Sequence, residues 1–164
     1  MTSLDERLAT ALLFHEATVA TAESCTAGLV AGRLADRPGS SAYLIGGFIT
    51  YANEAKTDEV GVPEELLERV GAVSEEVAVA MAQGARGRLG TTYGVSTTGV
   101  AGPDGGTPEK PVGLVHVAVA SADRVWHRRL LLDGDRAGVR ADSVTQALDL
   151  LLEAITGRGQ VVTT

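Results

Sequence analysis

The stretch ATVATAESCTAGLVAGRLA, residues 17–35, decides how this chain folds. Ala17 to Thr21 is short, β-branched and mostly apolar, and Ala22-Glu23-Ser24 leads into Cys25 to Ala35, where Ala, Leu and Val recur at helical spacing. A brief apolar run, a small polar turn and a helical period predict strand, tight turn and helix, the repeating unit of layered α/β architectures. Ser24 or Thr26 is placed to cap that helix, and Gly28 and Gly32, four apart on one face, would let another backbone come close.

On the N-terminal side, Leu4, Leu8, Leu12 and Leu13 share one side of a 3.6-residue period, which predicts an amphipathic helix over Leu4 to Phe14. On the other side, Arg37-Pro38-Gly39 breaks the second helix. Ser40 to Ile45 reads as one helical turn or as extended chain, and Gly47 to Tyr51 alternates as a strand, with Gly46-Gly47 free to change direction sharply. Asn53 caps a short helix from Glu54 to Val60, Pro63 starts another to Val70, and Ser74 caps a third reaching Arg88. Tyr93 to Thr98 is the next strand, followed by a Gly-rich loop to Gly106. Val112 to Ser121 and Arg124 to Leu132 read as an antiparallel pair turning at Ala122-Asp123, and Gly134-Asp135 opens a last helix from Arg136 to Ile155. Helices flank strands throughout, so the expected fold is a three-layer α/β/α sandwich. Its central sheet is mixed and mostly parallel, with an antiparallel C-terminal strand pair, in a single domain over 1–164 whose tail after about residue 157 is loosely ordered.

Composition narrows the function. A formal net charge of −7 without blocks of like charge lacks the basic footprint of a nucleic-acid binder, and 4% aromatics leaves few platforms for base stacking. Cys25 is the only cysteine, so no internal disulfide forms, and no Cys/His cluster has zinc spacing. No stretch approaches the ~20 apolar residues of a membrane span. The expectation is a cytoplasmic protein with no metal, no nucleic-acid partner and no membrane.

Three polar groups in Gly39 to Lys56 could carry chemistry. Ser40 and Ser41 follow a chain break that can aim a hydroxyl into a cleft, or they cap a helix. Lys56, in the first turn after Asn53, reaches back toward the strand end bearing Tyr51, because helical side chains tilt toward the N-terminus. In a dry pocket it would lose its charge and act as base toward a serine, with Tyr51 relaying the proton; exposed, it would pair with Asp58 or Glu59. Ten extended residues from Ser41 to Tyr51 span about 33 Å. Ser41 therefore either folds back through a helical turn and a reversal at Gly46-Gly47, the favoured reading, or serves a neighbouring subunit. Cys25 at a helix start is the competing nucleophile. His15, His116 and His127 read as core or surface residues. Anions suit the Ser24 to Gly28 turn and the Gly99 to Gly106 loop, with Arg136 and Arg140 adding charge.

Five blocks together carry a resemblance: Thr21 to Gly28 (TAESCTAG), Gly39-Ser40-Ser41, Thr50 to Lys56 (TYANEAK), Gly71 to Ser74 (GAVS) and Thr98 to Gly106 (TGVAGPDGG). Their order, continued by Glu109 to Gly113 and Gly134-Asp135-Arg136, closely resembles the CinA C-terminal domain family. That resemblance implies a nicotinamide-nucleotide amidohydrolase, which converts nicotinamide mononucleotide and water to nicotinate mononucleotide and ammonia without cofactor or metal. It puts the catalytic serine, tyrosine and lysine on Ser41, Tyr51 and Lys56. Substrate contacts are expected from Ser24, Thr26, Gly28, Gly99, Ala101, Gly102 and Arg140, and the protein is expected to be a homo-oligomer. The chain begins almost directly at the C-terminal-type domain, so the function of the N-terminal domain that many members carry is not expected of it. The alternative is a domain that binds or senses a pyridine nucleotide without turning it over.

Overall fold

The first helix, α1 (Leu4–Phe14), starts at a capping box: Ser3 Oγ accepts from the Glu6 amide at 3.2 Å, and the Glu6 carboxylate accepts from the Ser3 amide at 2.9 Å. The chain continues through β1 (Val19–Glu23), α2 (Leu29–Ala35), a 3₁₀ turn (Ser40–Ala42), β2 (Leu44–Ile49), α3 (Asn53–Val60), α4 (Glu64–Val70) and α5 (Glu75–Leu89). It ends with β3 (Tyr93–Gly99), β4 (Leu114–Ala120), β5 (Val125–Leu131) and α6 (Arg136–Thr156). This computed structural model describes residues 1–158 and 162; most of the tail expected to be loosely ordered lies outside the described residues.

The five strands form one sheet in the order β2-β1-β3-β4-β5. β1 pairs in parallel with β2 and β3, while β3–β4 and β4–β5 are antiparallel, so four strands share one direction, as the mixed, mostly parallel sheet requires. Strand alternation sorts the two faces. Val115, Val117 and Val119 of β4 pack with Leu8, Leu12, Leu148 and Leu151 under α1 and α6, whereas Ala118 and Ala120 meet Ala78 and Ala82 of α5. On that second face Ala20 and Ala22 of β1 pack with Val60, Val77 and Met81. Burying each such aliphatic side chain contributes roughly 1.5–3 kcal/mol.

Several local expectations are corrected. The second helix begins at Leu29, not Cys25, and neither Ser24 nor Thr26 caps it. Its leading amides at Val30 and Ala31 donate instead to the buried Glu23 carboxylate, at 2.8 and 3.1 Å, which frees residues 24–28 to form a turn with positive φ at Ala27 and Gly28. Gly32 meets no close neighbour, so the expected close approach there is absent. Gly46-Gly47 makes no reversal either: β2 stays parallel beside β1, with one register shift where Val19 pairs with Leu44 and Ala20 with Gly46, so Ile45 is passed over. Gly47 is glycine for another reason: a Cβ there would sit 2.2 Å from Thr21 Oγ1. α3 starts at Asn53 itself, with Ala52 in the cap position.

Candidate active site

Because β1, β2 and β3 run the same way, the turns that follow them open on one edge of the sheet. The chain leaves β1 for α2 on one face and β2 for α3 on the other, and a crevice forms where the two part, the usual place for a ligand in such sheets. Here it is a cleft of about 300 Å³ lined by Ser24, Tyr51, Asn53, Lys56, the Gly99–Gly102 segment and Arg136. A larger groove of about 440 Å³, bordered by Arg7, Phe14 and Glu153, offers no nucleophile with a base beside it.

Ser24 follows directly on β1, where its amide donates to Thr97 O at 2.9 Å and ties the turn to β3. Lys56 comes from the first turns of α3 and is 1% exposed. Its Nζ lies 3.0 Å from Ser24 Oγ, 2.8 Å from Thr50 O and 3.1 Å from Tyr51 O. No carboxylate among the described residues forms an ion pair with it. Desolvation therefore dominates and pushes its pKa below the ordinary lysine value, while the Cys25 and Glu54 charges oppose that shift. As an ammonium, Lys56 donates to all three oxygens. As a free amine it donates to the two carbonyls, and its lone pair accepts the Ser24 hydroxyl proton. The geometry suits a base poised on a nucleophile.

The surroundings hold that pair in place. The Glu23 carboxylate also accepts from Thr26 Oγ1 at 2.6 Å, and Thr26 Oγ1 lies 2.7 Å from Thr97 Oγ1, so the turn is anchored from within. Arg140 Nε donates to Cys25 O at 3.0 Å. The amides of Cys25 and Thr26, which follow Ser24 in the chain, find no acceptor among the described residues and are potential oxyanion donors. Burial pushes the Cys25 thiol up to about 11, so its thiolate is scarce at neutral pH.

The other expected site residues divide. Gly99, Ala101 and Gly102 line the cleft, as does Tyr51, whose phenol accepts from Arg136 Nη2 at 3.0 Å while Arg136 Nη1 donates to Gly102 O at 2.8 Å. The Tyr51 phenol makes no hydrogen bond with Ser24 or Lys56; its carbonyl is what meets the amine. Thr26 and Arg140 support the turn rather than face the cleft, and Gly28 borders a groove between α2 and α6. Ser41 sits in the 3₁₀ turn at the start of β2, while Lys56 follows its end. The intrachain meeting of Ser41 with Lys56 thus fails, because six residues of continuous strand, about 20 Å, hold them apart. Ser24 in the reach of Lys56 and Asn53 on the cleft wall were not placed there by residue spacing, whereas Arg136 and the Gly99 to Gly106 loop that holds Asp104 were expected at an anion site. The available signal for Ser24 was its position one residue beyond a strand in the central, parallel part of the sheet.

The chain matches the CinA C-terminal domain over residues 1–155. A CinA-like protein of Mycolicibacterium gilvum is 55% identical over 150 residues, 91% of this chain but 36% of that protein, so this chain spans about a third of such longer relatives. The nicotinamide-nucleotide amidohydrolase PncC of Pseudomonas putida is 48% identical over 153 residues, 93% of this chain and 96% of that protein. The crystal structure of the competence/damage inducible protein CihA from Agrobacterium tumefaciens has a TM-score of 0.89 at 44% identity and covers 93% of each chain. With family, sequence and fold in agreement over nearly all of its length, this chain belongs to the CinA C-terminal domain family.

Proposed function

We propose that the protein hydrolyses the carboxamide of nicotinamide mononucleotide, giving nicotinate mononucleotide and ammonia, with Ser24 as nucleophile and Lys56 as base. The observation that carries this reading is the buried Lys56 amine, 3.0 Å from Ser24 Oγ and fixed by two carbonyls, in an ion pair with no carboxylate among the described residues. The likeness to the Pseudomonas putida amidohydrolase supports the substrate.

In this mechanism the Ser24 hydroxyl gives its proton to the Lys56 amine as Oγ attacks the carboxamide carbon. The Cys25 and Thr26 amides stabilise the oxyanion. The Lys56 ammonium then protonates the departing nitrogen, the C–N bond breaks, and ammonia leaves a Ser24 ester. The regenerated amine takes a proton from water, hydroxide attacks the ester, and the proton returns to Ser24 Oγ as the acid departs. Arg136 and the free amides of the Gly99–Gly106 loop serve the substrate phosphate at the cleft mouth.

The test is ammonia release and nucleotide product from the purified protein and four variants. Ser24→Ala and Lys56→Ala are expected to lower kcat/KM by about a thousandfold or more, while Ser41→Ala and Cys25→Ala stay within about tenfold. Loss in Ser41→Ala with turnover kept in Ser24→Ala would overturn the nucleophile assignment. Binding of the nucleotide by wild type without ammonia would favour a silent binding domain.

A further inference from the structure

Two connections far apart in the chain line the cleft beside the Ser24–Lys56 pair. Ala72 and Val73 come from the link between α4 and α5, and Thr98 to Gly102 with Asp104 and Gly105 from the end of β3 and the loop after it. Two side-chain hydrogen bonds join these connections. Thr98 Oγ1 donates to Ala72 O at 2.9 Å, and Lys110 Nζ donates to Val70 O.

Lys110 is fixed from both sides. Its backbone sits in a short turn, where Thr107 N donates to Lys110 O at 2.9 Å and Lys110 N to Thr107 Oγ1 at 3.0 Å. Beyond that turn Gly113 N donates to Val100 O and Val100 N to Leu114 O, each at 2.8 Å, so the limb carrying the lysine is tied to the limb that lines the cleft. At its other end the ammonium meets Val70 O, the carbonyl of the last residue of α4 and thus the negative end of that helix. Gly71 makes the room: its φ is +76°, and a Cβ there would lie 2.8 Å from Lys110 Nζ. No carboxylate among the described residues forms an ion pair with Lys110.

The segment that follows Val70 is therefore anchored at each end. Lys110 holds its start, and Ser74 Oγ, which donates to Gly71 O at 2.9 Å and accepts from Val77 N at 3.3 Å, locks its end onto α5. Between the two anchors Ala72 and Val73 face the cleft. Lys110 itself neither lines the cleft nor bonds to Ser24 or Lys56.

We propose that Lys110 is a positioning residue for nucleotide binding: it clamps the Gly71–Ser74 segment to the Gly-rich loop, so that both stand preformed beside the reacting pair. A preformed site binds without first ordering its loops. Losing the clamp weakens substrate binding and leaves the chemical step, set by Ser24 and Lys56, intact. The identity of that substrate rests on the deamidase reading; the clamp does not.

Hydrogen exchange read by mass spectrometry tests the clamp without turnover. In Lys110→Met, peptides over 70–74 and 99–106 are expected to exchange about threefold faster than in wild type or more, while the peptide over 19–30 is unchanged. With nicotinamide mononucleotide, KM is expected to rise roughly tenfold, kcat to stay within about twofold, and the acid limb of the pH profile to stay in place. Gly71→Ala, whose methyl group takes the ammonium's place while Lys110 remains, is expected to reproduce both effects. Exchange raised across the whole chain, exchange unchanged over 70–74 and 99–106, or kcat lost with KM kept would each overturn the proposal. A wild type that releases no ammonia would overturn the deamidase reading instead, and the exchange result would still decide the clamp.

Discussion

In the proposed reaction Lys56 is the residue on which the chemistry turns. Burial, with no ion pair to a carboxylate among the described residues, lowers its pKa despite the opposing Glu54 charge, and neutrality is what would let it take the Ser24 proton. The free-enzyme rate should therefore climb as pH rises through the lowered lysine pKa, which a kcat/KM profile would read as an acid limb lying below the ordinary value of 10.5. Lys56→Arg keeps the charge and the donors but cannot deprotonate, so it should be inactive at every pH. Residue spacing brought Lys56 forward and tied it to the Thr50–Tyr51 strand end. It missed Ser24 because 32 residues separate the two, and only adjacent parallel strands bring their ends together.

At the scale of elements, the turn between β1 and α2 is a device for presenting Ser24. Glu23 is buried, and its carboxylate accepts from the Val30 and Ala31 amides and from the Thr26 hydroxyl. Glu23→Gln replaces one acceptor oxygen with a donor facing donors. It should cost about 2 kcal/mol in urea unfolding and lower kcat more than it raises KM, since the turn carries the proposed nucleophile. From sequence, Ser24 and Thr26 read as helix caps because capping is usually local. Here the cap comes from the preceding strand, a choice invisible without the fold. The caps at Ser3, Ser74 and Asp135 involve residues three apart. Ser74 and the Gly134-Asp135 opening were accordingly legible from the sequence.

Across the whole molecule, stability carries its own pH signature. His116 Nδ1 lies 2.8 Å from His127 Nε2, the rings stack, and Glu75, Glu76, Lys110 and Arg129 surround them. Burial and the neighbouring His127 drop the His116 pKa from 6.5 to about 4. Between those values the unfolded chain binds a proton that the folded one refuses, so stability falls as pH drops through that window and levels off below it. Denaturant titrations should show at most about 3 kcal/mol lost between pH 7 and 4, and a flatter slope in His116→Asn.

The sequence by itself determined the elements, the layered α/β class, the antiparallel C-terminal pair and the placing of Lys56 against the Thr50–Tyr51 strand end, because hydrophobic period, breakers and caps act within a few residues. The strand order, the parallel run of β2 beside β1 and the meeting of Ser24 with Lys56 were decided only in three dimensions. They depend on which strands lie side by side and where their ends coincide, and hydrogen bonds between distant segments set that register.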